Sequence, residues 1–130
     1  MNIISQGYYK EMPHGEPTNP SIMNFVGKED KSIIDNICSY LESGVPLATT
    51  PGVVADVINP DRGVIGTPTA LTDGTWVWPG DLSYYVKTYK LKLSDEFVQT
   101  MKDNNWKVPI KLEDIDLDSL TIDGISPFEE

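Results

Sequence analysis

The sequence predicts an α+β fold: a small, mostly antiparallel sheet packed by about three helices, in a single domain. Three observations point there. Apolar residues recur at three- and four-residue spacing in three separate windows. Short β-branched and aromatic runs, broken by turn residues, lie between the first window and the second. Ten Gly and ten Pro among 130 residues leave too much turn for a helical bundle. Strand and helix alternate over 70–104, so an α/β sandwich stands as the alternative. A chain of this length has room for one domain and buries about two-thirds of its unfolded surface without a metal or a disulfide.

The opening stretch, Gly7-Tyr8-Tyr9-Lys10-Glu11-Met12-Pro13-His14-Gly15-Glu16-Pro17-Thr18-Asn19-Pro20, holds three prolines. Each removes a backbone donor and biases its predecessor to extended geometry. Residues 13–21 read as an irregular loop, anchored by the tyrosine pair and Met12. A first helix is expected over 29–43, with Ile33, Ile34, Ile37, Cys38 and Leu41 on one face. Glu29 and Asp30 fall in its first turn, where negative charge suits the helix dipole. Gly44 is the expected C′ residue, and Pro46 prevents continuation. Val53, Val54, Val57 and Ile58 favour a strand. Asn59-Pro60-Asp61-Arg62-Gly63 reads as a turn, and Val64-Ile65 resumes the strand.

Asp73-Gly74 lies between Ala70-Leu71-Thr72 and Thr75-Trp76-Val77-Trp78, which predicts a hairpin with a two-residue Asp-Gly loop. Pro79 suits the first position of a second helix, placed at 80–90 with Leu82, Tyr85, Val86 and Tyr89 inward. Ser94 reads as the N-cap of a third helix over 95–104, with Phe97, Val98 and Met101 inward. Asn104-Asn105 ends it through a left-handed residue. The alternation Asp114-Ile115-Asp116-Leu117-Asp118 suggests a half-buried edge strand. Leu120, Ile122, Ile125 and Phe128 argue that the tail docks. The chain thus divides into a domain over 1–112 and an acidic C-terminal segment over 113–130.

The formal net charge is -10. Residues 113–130 hold seven acids and neither Lys nor Arg, so most of the charge sits there. Nucleic-acid binding through counterion release needs Lys and Arg, and this balance speaks against it. A basic protein partner suits the acids, because opposite fields speed encounter. Solubility alone also accounts for them. No apolar run approaches the roughly 20 residues of a membrane span. Cys38 is the one cysteine, so no intrachain disulfide forms, and its place on an apolar helix face reads as core. The N-terminus lacks a basic segment followed by an apolar one, so the expected compartment is the cytoplasm.

Chemistry-bearing motifs are sparse. The one histidine, His14, cannot build a two-histidine metal site, and no metal or cofactor is expected. A nucleophilic triad would have to use His14, and the chain has no Gly-x-Ser-x-Gly elbow. It has no glycine-rich phosphate loop and no calcium-loop spacing either. Asp56, Asp73 and Asp81 lie near strand ends, and two suitably spaced carboxylates suffice for glycoside hydrolysis. Asp73 and Asp81 already have structural uses, in the hairpin turn and in a helix first turn.

The most unusual stretch runs from Thr72 to Tyr85. Trp76 and Trp78 are two apart and share a strand face. Tyr85 and Tyr89 share a helix face, while Tyr84 points elsewhere. Two readings compete: bulky core filler, or a recognition patch formed by Asp73, Trp76, Trp78, Asp81 and Tyr84.

The runs Gly7–Gly15, Val64-Ile65-Gly66, Thr72–Tyr85, Phe97-Val98-Gln99-Thr100-Met101 and Trp106-Lys107-Val108-Pro109 resemble a family of small uncharacterised bacterial proteins. That likeness covers 7–109 and implies no activity. In size and acidity the chain also resembles the immunity proteins of bacterial toxin systems. The expected function is therefore a non-catalytic protein-binding module, of which an immunity-type inhibitor of a basic toxin domain is the concrete form. A small hydrolase-like enzyme using carboxylates with the His14 and Glu16 loop is one alternative. A structural subunit, such as a homodimer paired through exposed strand edges, is the other.

Overall fold

The computed structural model describes residues 1–13, 15–48 and 52–125. The fold is α+β. A five-stranded sheet runs in the order β2-β5-β6-β1-β7, with β1 at Asn2–Ser5, β2 at Val45–Ala48, β5 at Ala70–Thr72, β6 at Trp76–Pro79 and β7 at Thr121–Ile122. A separate two-stranded ribbon joins β3 (Val54–Ala55) to β4 (Val64–Gly66). Three helices complete the fold: α1 at Ile34–Glu42, α2 at Leu82–Tyr89 and α3 at Asp95–Asp103. Three pairings are antiparallel: β2 with β5, β5 with β6, and β3 with β4. β1 pairs in parallel with both β6 and β7, which makes the main sheet mixed.

Strand alternation divides the core in two. Trp78 faces α1 and α3, in a cluster with Ile37, Tyr40, Leu41, Leu82, Tyr85, Phe97 and Met101. Val77 and Ile3 face the other way and are covered by Leu120 from the C-terminal segment. The helices therefore blanket one face and the acidic segment roofs the other. Gly44 sits where α1 turns into β2. A Cβ there would lie 2.5 Å from the Trp78 ring, so only glycine fits that approach.

Local differences from the expectations have physical causes. The first helix begins as a single 3-10 turn, Lys31–Ile33, capped by the Asp30 side chain on the Ser32 amide. Glu29 leaves the first turn and is buried, accepting hydrogen bonds from the Asp30 and Leu93 amides. The hairpin loop shifts by one residue. Asp73 and Trp76 close it, and Gly74, at φ 93°, opens the loop. A positive dihedral is cheapest at glycine, so Gly74 takes the first loop position rather than the second. Pro79 ends β6 opposite Ala70 instead of starting α2. The ribbon strand is shorter than Val53–Ile58, because Asp56 turns the chain immediately after β3.

The Asp114–Asp118 alternation does not form a strand. Leu112–Asp114 is a 3-10 turn, and Asp116 then caps a second turn through the Asp118 amide and the Ser119 hydroxyl. Asp side chains compete for backbone donors, and here that competition defeats the pleat. The edge strand comes later, at β7, and its outer side is closed by reciprocal Ile122–Ile125 hydrogen bonds. Phe128 lies outside the described residues.

The opening loop is tied down as its side chains suggest. Tyr9 and Met12 are buried. Asn19 donates to the Tyr8 carbonyl, and the Glu11 carboxylate accepts from the Ser21 hydroxyl and the Ile22 amide.

Candidate functional site

The aromatic hairpin supplies structure more than surface. Asp73 Oδ1 accepts from the Thr75 amide at 2.9 Å and the Trp76 amide at 2.7 Å. Its Oδ2 accepts from the Tyr40 hydroxyl at 2.6 Å, and that hydroxyl accepts from Asn104 Nδ2 at 3.0 Å. The Trp78 indole donates to the Leu41 carbonyl and packs on Phe97 with ring centroids 5.3 Å apart. Asp73, Trp78 and Asp81 are 1%, 0% and 2% exposed. All three are buried, so of the five residues grouped as a recognition patch only Trp76 and Tyr84 keep part of their surface exposed. The shared face of the two indoles is the face that the helices cover. Trp76, nearer the sheet end, stays half-buried, stacked on Phe97 with its N–H on Thr100. Tyr84 is also half-buried. Glu16 is exposed, and His14 lies outside the described residues.

A second carboxylate hub stands where the ribbon meets α2. Asp56 Oδ1 accepts from the Ile58 and Asn59 amides at 2.8 and 2.9 Å. Its Oδ2 accepts from the Tyr84 hydroxyl at 2.8 Å and from the Tyr89 hydroxyl. Burial disfavours the charged carboxylate, yet the hydrogen bonds from Tyr89, Asn59, Tyr84 and Ile58 outweigh it and hold Asp56 below its ordinary value. Tyr85 adds a third tie. Its hydroxyl accepts from the Val57 amide at 3.0 Å and donates to the Ala55 carbonyl at 3.3 Å. The Arg62 guanidinium lies 5.9 Å from the Tyr89 ring centroid, a cation–π distance. Tyr84 meets Tyr85 and Tyr89 edge-on, which fixes its ring.

The other side of Tyr84 faces a groove along the seam of α1 and α2. Its volume is about 380 Å³. Asp35, Cys38, Ser39 and Glu42 line it from α1, and Ser83, Tyr84 and Lys87 from α2. The α1 residues fall at positions i, i+3, i+4 and i+7, which is one helix face. Cys38 forms the floor, its thiol 3.6 Å from the Ser83 carbonyl. Burial, reinforced by the charges of Glu42 and Asp35 and opposed by Lys87, pushes that thiol up to about 11. It therefore stays protonated at neutral pH and is a poor nucleophile. The core reading of Cys38 fits this burial.

The groove combines acids with an aromatic ring, the chemistry the sequence reading assigned to the hairpin. Only Tyr84 is common to both. Asp35, Ser39 and Glu42 were missed, although their spacing beside Cys38 on one helix made them readable. Among the described residues no group of His, Cys, Asp or Glu is arranged to hold a metal. Among them, too, no helix is long and apolar enough to cross a membrane. Compared with known proteins, the chain matches no family model, no curated protein and no solved structure.

Proposed function

We propose that this protein is a non-catalytic module that binds a basic protein partner, in the manner of the immunity-type inhibitors it resembles in size and acidity. The contact surface is centred on the α1–α2 groove. One observation carries the reading: the groove sets two carboxylates, Asp35 and Glu42, beside a tyrosine ring held by its neighbours. Such a surface holds a cation. The net charge of -10 adds long-range attraction, which raises encounter rates with a basic protein. The exposed acids of the C-terminal segment contribute to that field from the opposite face of the sheet.

The experiment is co-expression with a toxic reading frame encoded directly beside this chain. Growth rescue and a co-eluting complex are expected, with an association rate that falls as salt rises. Asp35→Lys combined with Glu42→Lys abolishes both. Lack of any such partner, or a complex indifferent to the two substitutions, overturns the reading.

A further inference from the structure

Resting on that reading, we propose that the α1–α2 groove receives one arginine side chain of the partner, its guanidinium stacked on Tyr84 and bracketed by Asp35 and Glu42, with Lys87 limiting the affinity. The choice of a cation follows from charge complementarity, since two carboxylates face one ammonium across the groove. The choice of arginine follows from span and shape. Asp35 and Glu42 stand seven residues apart on α1, about 10 Å along the axis. An ammonium is a point charge and serves one carboxylate well. A guanidinium fans its donors out in a rigid fork and reaches acceptors on both sides. Its flat face also stacks on an aromatic ring.

Tyr84 is suited to that role because its hydroxyl is spoken for. The bond to Asp56 and the edge-on contacts with Tyr85 and Tyr89 hold the ring before any ligand arrives. The buried Cys38 side chain offers an apolar bed for the aliphatic stem. Lys87 lies on the opposite wall and repels the incoming charge, so it tunes selectivity rather than supplying attraction.

The test uses the intact protein and a small probe. N-acetyl-arginine amide is titrated while amide resonances are followed by NMR, with N-acetyl-citrulline amide as the uncharged analogue of the same shape. Saturable shifts confined to 35–42 and 83–87 are expected with arginine and not with citrulline. Asp35→Asn with Glu42→Gln weakens binding about tenfold, as the loss of charge-assisted hydrogen bonds does. Lys87→Met tightens it. N-acetyl-lysine amide binds more weakly than arginine. Equal response to citrulline, shifts centred on 113–123, or no response at all overturns the arginine slot. Those results leave the co-expression test untouched, because a basic partner can bind without using this slot. Arginine binding in a chain that rescues no toxin defeats the immunity reading instead.

Discussion

Asp73 and Asp56 make the same local structure in two very different places. Each aspartate accepts the amides two and three residues ahead through Oδ1 and tyrosine hydroxyls through Oδ2. Each is 1% exposed. Around Asp73 the bonds join β5 and β6 to α1 and, through Asn104, to the end of α3, beside Trp78 and Phe97. Around Asp56 they join the two-stranded ribbon to α2, where Val54 is the only buried hydrophobic residue of β3 and β4. The hydrogen-bond inventory is nearly equal, but the apolar burial behind it is not. An identical polar motif therefore closes the core at one site and clasps a peripheral lobe at the other.

The sharpest way to break this comparison is to remove each carboxylate. Asp73→Ala removes the acceptor of the buried Tyr40 hydroxyl and of the Thr75 and Trp76 amides at the hairpin end. The expected loss is about 3 kcal/mol of global stability, the upper end for hydrogen bonds to a charged group and for a buried donor left unpaired. Urea unfolding followed by tryptophan fluorescence measures it, because Trp76 and Trp78 flank the site. A loss below about 1 kcal/mol would mean that water replaces the carboxylate without penalty.

Asp56→Ala costs less, about 2 kcal/mol, for the loss of hydrogen bonds to a charged group. Its effect is also local. Hydrogen exchange should accelerate at the Val57, Ile58 and Asn59 amides while the sheet keeps its protection, since weakly buried elements open separately. If both variants lose protection everywhere, the ribbon and the core are one cooperative unit. Acid provides a second handle on Asp56. Its folded pKa is depressed, so its stabilisation is complete above the ordinary value of 3.8 and is lost as pH falls through the lower folded value. The stability gap between wild type and Asp56→Ala should hold from pH 7 to about 4 and then close.

The same contrast explains what could be read from the sequence. The helices, the turn at Pro60, the hairpin and the Ser94 cap were legible because each depends on nearby residues. Ser94 accepts from the Phe97 amide three residues on, as an N-cap should. The parallel pairings of β1 were illegible, since nothing in Asn2-Ile3-Ile4-Ser5 encodes a partner 72 or 119 residues away. In the acidic segment alternation does not produce a pleat, because its aspartates bond to their own backbone. The site was half legible. Of the residues grouped as a recognition patch, Tyr84 lines the groove. The hairpin indole and carboxylates failed as surface because bulk and a satisfied buried acid are what a small core needs, and composition alone does not separate core from interface. The acids that line the groove lay on the first helix, in a stretch read only for its apolar face.

Tyr85 gives the smallest effect and the finest discrimination between hub and surroundings. Its ring is fully buried and belongs to the main core, while its hydroxyl serves the ribbon. Tyr85→Phe keeps the first role and deletes the second, at an expected cost of about 1 kcal/mol. Burial pushes this phenol up to about 12, helped by the charges of Asp81 and Asp56 and opposed by the Val57 amide. A raised folded pKa means its contribution is whole below the ordinary value of 10.0 and disappears as pH rises through about 12. The wild-type advantage over Tyr85→Phe should therefore persist at pH 9 and vanish in strong alkali. Exchange at the Val57 amide should quicken in the variant while α2 stays protected. If α2 opens together with Val57, the ribbon does more than rest on the helix: it helps to hold it, and the Tyr84 wall of the groove would depend on the lobe as well.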